Sequence, residues 1–428
     1  MLAPALNADR TSREAPRARQ VALRYGLSAF GPAAIAAAHF IASLIFLRTA
    51  TPADFGLFSF VLVIVPLFMS MSSALLGAPV AVALNRSVAA DAAEMATYLK
   101  SNLVFSGAAG IGVFLLLLAS RAAPATAAVF GLYGAAMTLR WFARSFAYAE
   151  HRQVPAIVSD AIYSALVVAG LAALLLLHAL TMLTASVTLL AAAVVSVTAF
   201  GPGYFMRQFR LGPSGSLRAY VPVWLELTRW SLAGVVLSEL TGNAHAYFVT
   251  FISGPKVFAL LAVGSLMMRP ISLVLSALPD MERPVMARKI AQGDLKGAFR
   301  TVNEFRTAAG AVWLATMVLA AALLTWFPHL LIKPGYDATK VVEVVIFWIA
   351  ISAVRALRTP DAVFLQAARE FNPLARAGAR SSVVSLIATP ALLIVFGPVA
   401  SLGGILLGDI VMTANIFTLT RGWKQRHA

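Results

Sequence analysis

Apolar residues in this chain come in long runs separated by short polar breaks. A helix needs about 20 mostly apolar residues to cross a bilayer. Twelve windows meet that need: 26–47, 57–84, 103–120, 125–142, 156–177, 184–204, 227–252, 257–279, 307–327, 341–356, 376–396 and 402–420. No segment alternates polar and apolar residues as a competing strand would, and open-edged sheet is excluded from hydrocarbon. The pattern predicts an all-α integral membrane protein of about 12 transmembrane helices in two six-helix lobes. The expected organisation is a basic N-terminal segment 1–25, a lobe 26–204, a polar Gly/Pro/Ser-bearing linker 205–226, a second lobe 227–420 and a tail 421–428. Six being even, both lobes enter the membrane in the same direction, as parallel repeats do.

The polar breaks alternate in character. Those after every second window are longer and basic, and the others are short. Of 34 Lys and Arg residues, 28 fall with the termini and the basic breaks. Five lie on the opposite face: Arg48, Arg121, Lys256, Lys333 and Lys340. By the positive-inside rule both termini are expected in the cytoplasm. The basic start followed by a long apolar run reads as a signal anchor rather than a cleaved leader.

Composition sharpens this picture. The chain has 428 residues, 60% hydrophobic and 12% charged, against about 25% charged in soluble domains. A soluble enzyme and a disordered chain are both excluded. The net charge of +16 is mostly a label of membrane orientation and does not point to nucleic acid. With no cysteine, the chain cannot form a thiolate zinc site, an Fe–S cluster, a disulfide or a cysteine nucleophile. There is no Gly-x-x-x-x-Gly-Lys-Ser/Thr run to cradle a nucleotide, and no His pair at metal-ligand spacing. Neither a catalytic residue nor a metal nor another cofactor is implied.

Ionisable residues within the bilayer are expensive unless paired or hydrated, so they mark candidate sites. Arg269 falls near the middle of the eighth window and Glu239 at comparable depth in the seventh. Each is about 22 Å of helix from the turn at Gly254-Pro255. In an antiparallel hairpin they sit level, either as an ion pair or as two walls of one hydrated cavity. Arg229, Glu239 and Asn243 fall within about 80° of one another on a helical wheel, a polar stripe suited to an aqueous interior. Arg229 also lies three residues from Glu226, the spacing of an interfacial pair. Asp409 is mid-span with no level partner evident, either a coupling carboxylate or a cap for a neighbouring helix. Asp160 lies near an inner helix end and reads as snorkelling. Arg48 is either an interfacial anchor paired with Asp54 or part of an outward cavity. Prolines 32, 66, 202, 270 and 390 punctuate the spans and tend to kink them.

Two stretches resemble a known family. The first runs from Phe46 through Arg48, Pro52, Asp54 and Phe55-Gly56 to Phe58. The second is Met268-Arg269-Pro270, followed by Leu278-Pro279, Arg283-Pro284-Val285-Met286-Ala287-Arg288 and Gln292-Gly293-Asp294. With the span plan, they resemble the multidrug/oligosaccharidyl-lipid/polysaccharide exporter superfamily, and within it the bacterial O-antigen and exopolysaccharide flippases. The chain departs from the family's outer-loop wording at Thr51-Pro52-Ala53-Asp54 and in its short tenth window. The resemblance implies flipping of a polyprenyl-diphosphate-linked oligosaccharide across the bacterial inner membrane by alternating access. That activity serves exopolysaccharide or lipopolysaccharide biosynthesis, with membrane lipids, a polymerase and export machinery as partners. An anionic headgroup calls for a cavity lined by arginine. Arg269, Arg48 and Arg229 are the expected cationic lining, with Glu239, Asn243 and Asp409 as cavity or coupling residues. A cation-coupled drug or small-molecule antiporter is the alternative. A glycan polymerase is disfavoured by the short outer loops.

Overall fold

The computed structural model describes residues 30–84, 92–210, 215–330 and 336–427. The basic segment 1–25 lies outside the described residues, as do Arg86 and Lys333. Among the described residues the chain is helical throughout, with no strand. The first six helices are α1 (Phe30–Thr49), α2 (Pro52–Leu84), α3 (Ala92–Ala119), α4 (Pro124–Ala149), α5 (Gln153–Leu176) and α6 (Met182–Val197). The next two are each broken: α7 is Arg229–Gly242 then Ala244–Ser253, and α8 is Pro255–Met267 then Arg269–Ala291. Last come α9 (Leu295–Trp326), α10 (Ala338–Ala367), α11 (Phe371–Phe396) and α12 (Ser401–His427).

Eight of these helices are long and apolar enough to span a membrane, and the bent pair in α8 makes a ninth. The other three expected spans, α4, α7 and α10, are helices too. They are less apolar because α4 contains Arg140 and Arg144, α7 is interrupted at Asn243, and α10 contains Arg355 and Arg358. Several helices outrun their apolar windows. α10 continues to Ala367, eleven residues past the end of its window, so Arg355 and Arg358 lie inside a continuous helix.

Helices α2 to α6 pack among themselves, and α7 to α12 among themselves. The principal contact between the halves is α2 against the first segment of α8. Its tightest point is Gly56, where an added Cβ would sit 1.8 Å from the carbonyl oxygen of Pro255. Close beside it, Phe60 meets the rings of Tyr247, Phe251 and Phe258 edge-on, at centroid distances of 5.9, 5.6 and 6.3 Å. Small residues also let α3 and α4 cross closely, with a Gly110 Cβ position 2.8 Å from the Gly131 carbonyl oxygen. The second segment of α8 bends away by about 60° and packs on α9 and α10 instead. The halves therefore meet most closely at the Pro52 end of α2, and towards its other end α2 touches the first segment of α7. Large apolar side chains such as Leu176, Ile394 and Phe396 are exposed on the flanks, as lipid contact requires.

The stretch expected as a polar linker is held against the first half. A short helix, Pro202–Gln208, ends in Gln208, which is 3% exposed. The Gln208 amide donates to the Leu99 carbonyl at 2.8 Å, and its oxygen accepts from buried Asn102 at 3.0 Å. Lys100 Nζ donates to the Gly215 carbonyl at 2.8 Å, and the Tyr220 hydroxyl donates to the Leu75 carbonyl. A buried amide must find partners, which fixes the linker to α2 and α3.

Asp160 is not a snorkelling surface carboxylate. It is 1% exposed and accepts from Arg140 at 2.5 Å and from Arg144 at 3.1 Å. Arg140, equally buried, also donates to Ser159 at 3.0 Å and lies 4.8 Å from the Tyr163 ring centroid. The Tyr163 hydroxyl in turn bonds Tyr133 at 2.7 Å and His39 at 2.8 Å. This network ties α1, α4 and α5 together around two guanidiniums and one carboxylate. Removing the carboxylate strands two cations in apolar surroundings, so Asp160→Ala is expected to cost about 3–5 kcal/mol. A large drop in melting temperature and yield of the detergent-purified protein checks this.

Candidate functional site

Between the halves lies a cavity of about 250 Å³, walled by α1, α2, α7, α8 and α10. Its position follows from the two broken helices. α7 breaks at Asn243, whose backbone (φ −119°, ψ 15°) is outside the helical region. α8 breaks at Met268, and its second segment starts at Arg269 with Pro270 in the first turn. Proline suits that place, since its missing N–H would be unpaired there anyway. Discontinuous helices near mid-membrane expose polar backbone to a cavity, and helix N-termini there favour anions. Met268, Arg269 and Ser272 line the cavity, as do Ser265 and Leu266 of the turn before the break, so the start of a 23-residue helix and a guanidinium border it beside the end of the preceding segment.

The structure places Glu239, Asn243 and Arg269 in one wall system, as two sides of a single cavity. The alternative, a Glu239–Arg269 ion pair, does not form. Glu239 accepts from Ser70 of α2 at 3.0 Å and from Asn243 at 3.3 Å. The estimate of equal depth assumed a straight eighth helix, and the bend at Met268 redirects Arg269. Half-buried Arg269 has no hydrogen bond and no acidic partner within 4 Å among the described residues.

Three other expectations are corrected. Arg48 is exposed at the end of α1 and is not in the cavity wall. Nor does it pair with Asp54, which is engaged in capping α2. The Thr51 hydroxyl donates to Asp54 Oδ2 at 2.7 Å and accepts from the Asp54 N–H at 3.2 Å. Arg229 is also exposed and outside the wall, with its guanidinium 5.3 Å from the Trp230 ring centroid and no ion pair to Glu226. Arg229 shares a continuous helix with Glu239 but lies ten residues, about 15 Å, before it, so a common face does not bring it to the cavity, and the π-helical turn at Trp224–Thr228 alters its spacing to Glu226. Asp409 does have level partners. It is 7% exposed and accepts from Arg355 at 2.8 Å and from Arg358. These arginines escape sequence reading because they sit at the edge of an apolar window and count there as orientation signals. Their three-residue spacing on one helix face was the available clue.

Two further residues complete the wall. Arg355 lines the cavity, and so does His245, which is 4% exposed with Nδ1 unpartnered. The His245 ring stands edge-on to Trp348 at 5.2 Å. Trp348 is fixed by its Nε1 donating to the Leu261 carbonyl at 3.0 Å. The site therefore combines two arginines, one carboxylate, hydroxyls and aromatic surface. It can hold an anion with additional hydrogen-bonding groups. At 250 Å³ it is smaller than the roughly 300–1,000 Å³ usual for drug-sized ligands, so a long cargo extends beyond it.

No family model matches the chain, and no curated protein matches it. Solved structures share its fold. An inward-facing multidrug resistance MATE family transporter of the MOP superfamily superposes with a TM-score of 0.71 at 13% identity, over 92% of this chain and 95% of that one. The lipid II flippase MurJ, in an inward closed conformation, gives 0.69 at 12% identity, over 92% and 87%. An outward-facing MATE family transporter gives 0.57 at 14% identity, over 94% and 95%. The chain is thus a multi-pass, all-helical membrane protein with the fold of MOP-superfamily transporters.

Proposed function

We propose that the protein is a flippase that moves a polyprenyl-diphosphate-linked oligosaccharide across the bacterial inner membrane by alternating access. The product feeds exopolysaccharide or lipopolysaccharide assembly, and both termini face the cytoplasm. One observation supports the reading above others: Arg269, unmatched by any acidic partner among the described residues, stands at the start of a helix that borders the cavity. Guanidinium and helix terminus together favour phosphate. The polyprenyl tail stays in lipid while the headgroup enters between the halves. The higher similarity to inward-facing neighbours supports a cytoplasm-open state, consistent with the closest contact at the Pro52 end.

Proteoliposomes test this directly. Purified protein is expected to translocate a fluorescent polyprenyl-diphosphate sugar and to leave a cationic dye such as rhodamine 6G in place. Dye export driven by an ion gradient, with the lipid-linked sugar unmoved, would establish the second reading, a cation-coupled antiporter. Glu239 in the cavity wall keeps that reading in play, and Glu239→Gln would then abolish dye transport.

A further inference from the structure

We propose that Arg355 is a second anion-binding residue of the central cavity, held by Asp409 until substrate arrives and then transferred to a phosphate of the substrate. The inference rests on the cavity being an anion site.

Arg355 occupies a boundary. It lines the central cavity, and it also lines a second compartment of about 420 Å³ among α7, α10, α11 and α12. Arg358 lines only the second compartment. Asp409 stands in that compartment with its two oxygens divided between them: Oδ2 accepts from Arg355 Nε at 2.8 Å, and Oδ1 accepts from Arg358 Nη1. A carboxylate with two cationic partners can release one without being left unpaired. Arg355 is the one free to go, because its side chain is 30% exposed against 21% for Arg358. It also commits only Nε to Asp409, and both terminal nitrogens lack partners among the described residues.

The neighbourhood supplies a destination. One turn before Arg355, the Ser352 hydroxyl donates to Met268 Sδ at 3.5 Å, and Met268 directly precedes Arg269. The same hydroxyl accepts from Trp313 Nε1 of α9 at 3.2 Å, which ties α9 to α10 beside this contact. Arg269 and Arg355 are thereby brought to one cavity from two helices. Without substrate, two guanidiniums in one small cavity repel each other, and Asp409 offsets the charge of one. A diphosphate would replace Asp409 as the counter-charge, with one arginine on each phosphate. His245, buried in the same wall with Nδ1 unpartnered, provides a polar atom for a phosphate oxygen or its bound water.

Farnesyl diphosphate is a suitable probe, with uncharged farnesol as control. Its binding to the full-length purified protein is read from tryptophan fluorescence, since Trp348 lines the cavity. Arg355→Gln is expected to weaken binding about tenfold or more, the scale of a lost charge-assisted hydrogen bond. Asp409→Asn removes the competitor and tightens binding, while Arg358→Gln leaves Asp409 with Arg355 as its one partner and so weakens binding; combined with Asp409→Asn it has no such effect, and binding stays within about twofold of Asp409→Asn alone. Farnesol binding is unaffected by each. Should Arg355→Gln fail to fold, Arg355→Lys keeps a cation beside Asp409 and is expected to show a partial loss, since an ammonium cannot grip phosphate as a fork. Equal losses when Arg355→Gln and Arg358→Gln are each combined with Asp409→Asn would overturn the inference, because Arg355 would then act only by holding the helices. Wild-type binding in Arg355→Gln alongside a loss in Arg269→Gln would also overturn it, while leaving the cavity reading intact. Wild-type binding in both would remove the anion-site reading itself.

Discussion

Alanine at Arg269 is expected to abolish export of the lipid-linked glycan while leaving the folded protein at least as stable as wild type. The two effects have one cause. Among the described residues Arg269 has no counter-ion, so the resting protein bears the cost of a half-buried charge. Deleting that charge relieves the fold and at the same time removes the attraction for phosphate. Truncating one partner of a desolvated charge pair costs about 2–5 kcal/mol, or roughly 30-fold and upward in affinity. Arg269→Lys is expected to restore only part of the activity, since a point charge cannot grip two phosphate oxygens in a fork. Glycan export in complemented cells gives the first readout and the melting temperature of purified protein gives the second. A variant that exports normally, or that is destabilised as Asp160→Ala is expected to be, would mark Arg269 as a structural residue.

The second large effect is expected at Gly56. A Cβ there would overlap the Pro255 backbone at 1.8 Å, and a backbone carbonyl has no rotamer by which to move aside. Gly56→Val must separate α2 from α8 at the end where the halves meet. The cavity residues remain in place, but the barrier above them is breached. Transport is expected to stop because one of the two alternating states can no longer close. The absence of native cysteine makes the test clean. Ser59→Cys, in the cavity wall, is expected to react slowly with an impermeant maleimide applied from outside in an otherwise wild-type chain, which opens outward for only part of its cycle. In the Gly56→Val background it is expected to react much faster. Equal rates in both would show that the barrier lies elsewhere.

The helices were largely legible from the sequence, because a bilayer leaves the backbone few options and long apolar runs betray each span. Arg269 was legible for a related reason: no rule of orientation accounts for a cation at that depth. What escaped reading were partnerships. Asp160 and Asp409 both looked single, because their arginines, Arg140 with Arg144 and Arg355 with Arg358, had been absorbed into the positive-inside count. Depth along a helix says nothing about which face meets which neighbour. The Arg229 and Glu239–Arg269 expectations failed through local geometry. Arg229 lies about 15 Å of helix before Glu239, with a π-turn altering its spacing to Glu226, and a 60° bend before Arg269 changes the direction of the side chains that follow. Arg48 lies exposed at the end of α1, outside the cavity wall, and the Asp54 carboxylate accepts from Thr51 rather than from it.

Each ion pair described above sits within one half of the molecule, while the halves touch through a glycine, a proline carbonyl, a cluster of aromatic rings and one hydrogen bond from Ser70 to Glu239. A rocking motion about that contact would pull apart no opposite charges and would carry each cluster along intact. The charges then act as ballast within each body, and the moving joint is greasy. The pace of exchange between the two states is therefore expected to follow temperature and the surrounding lipid more closely than salt.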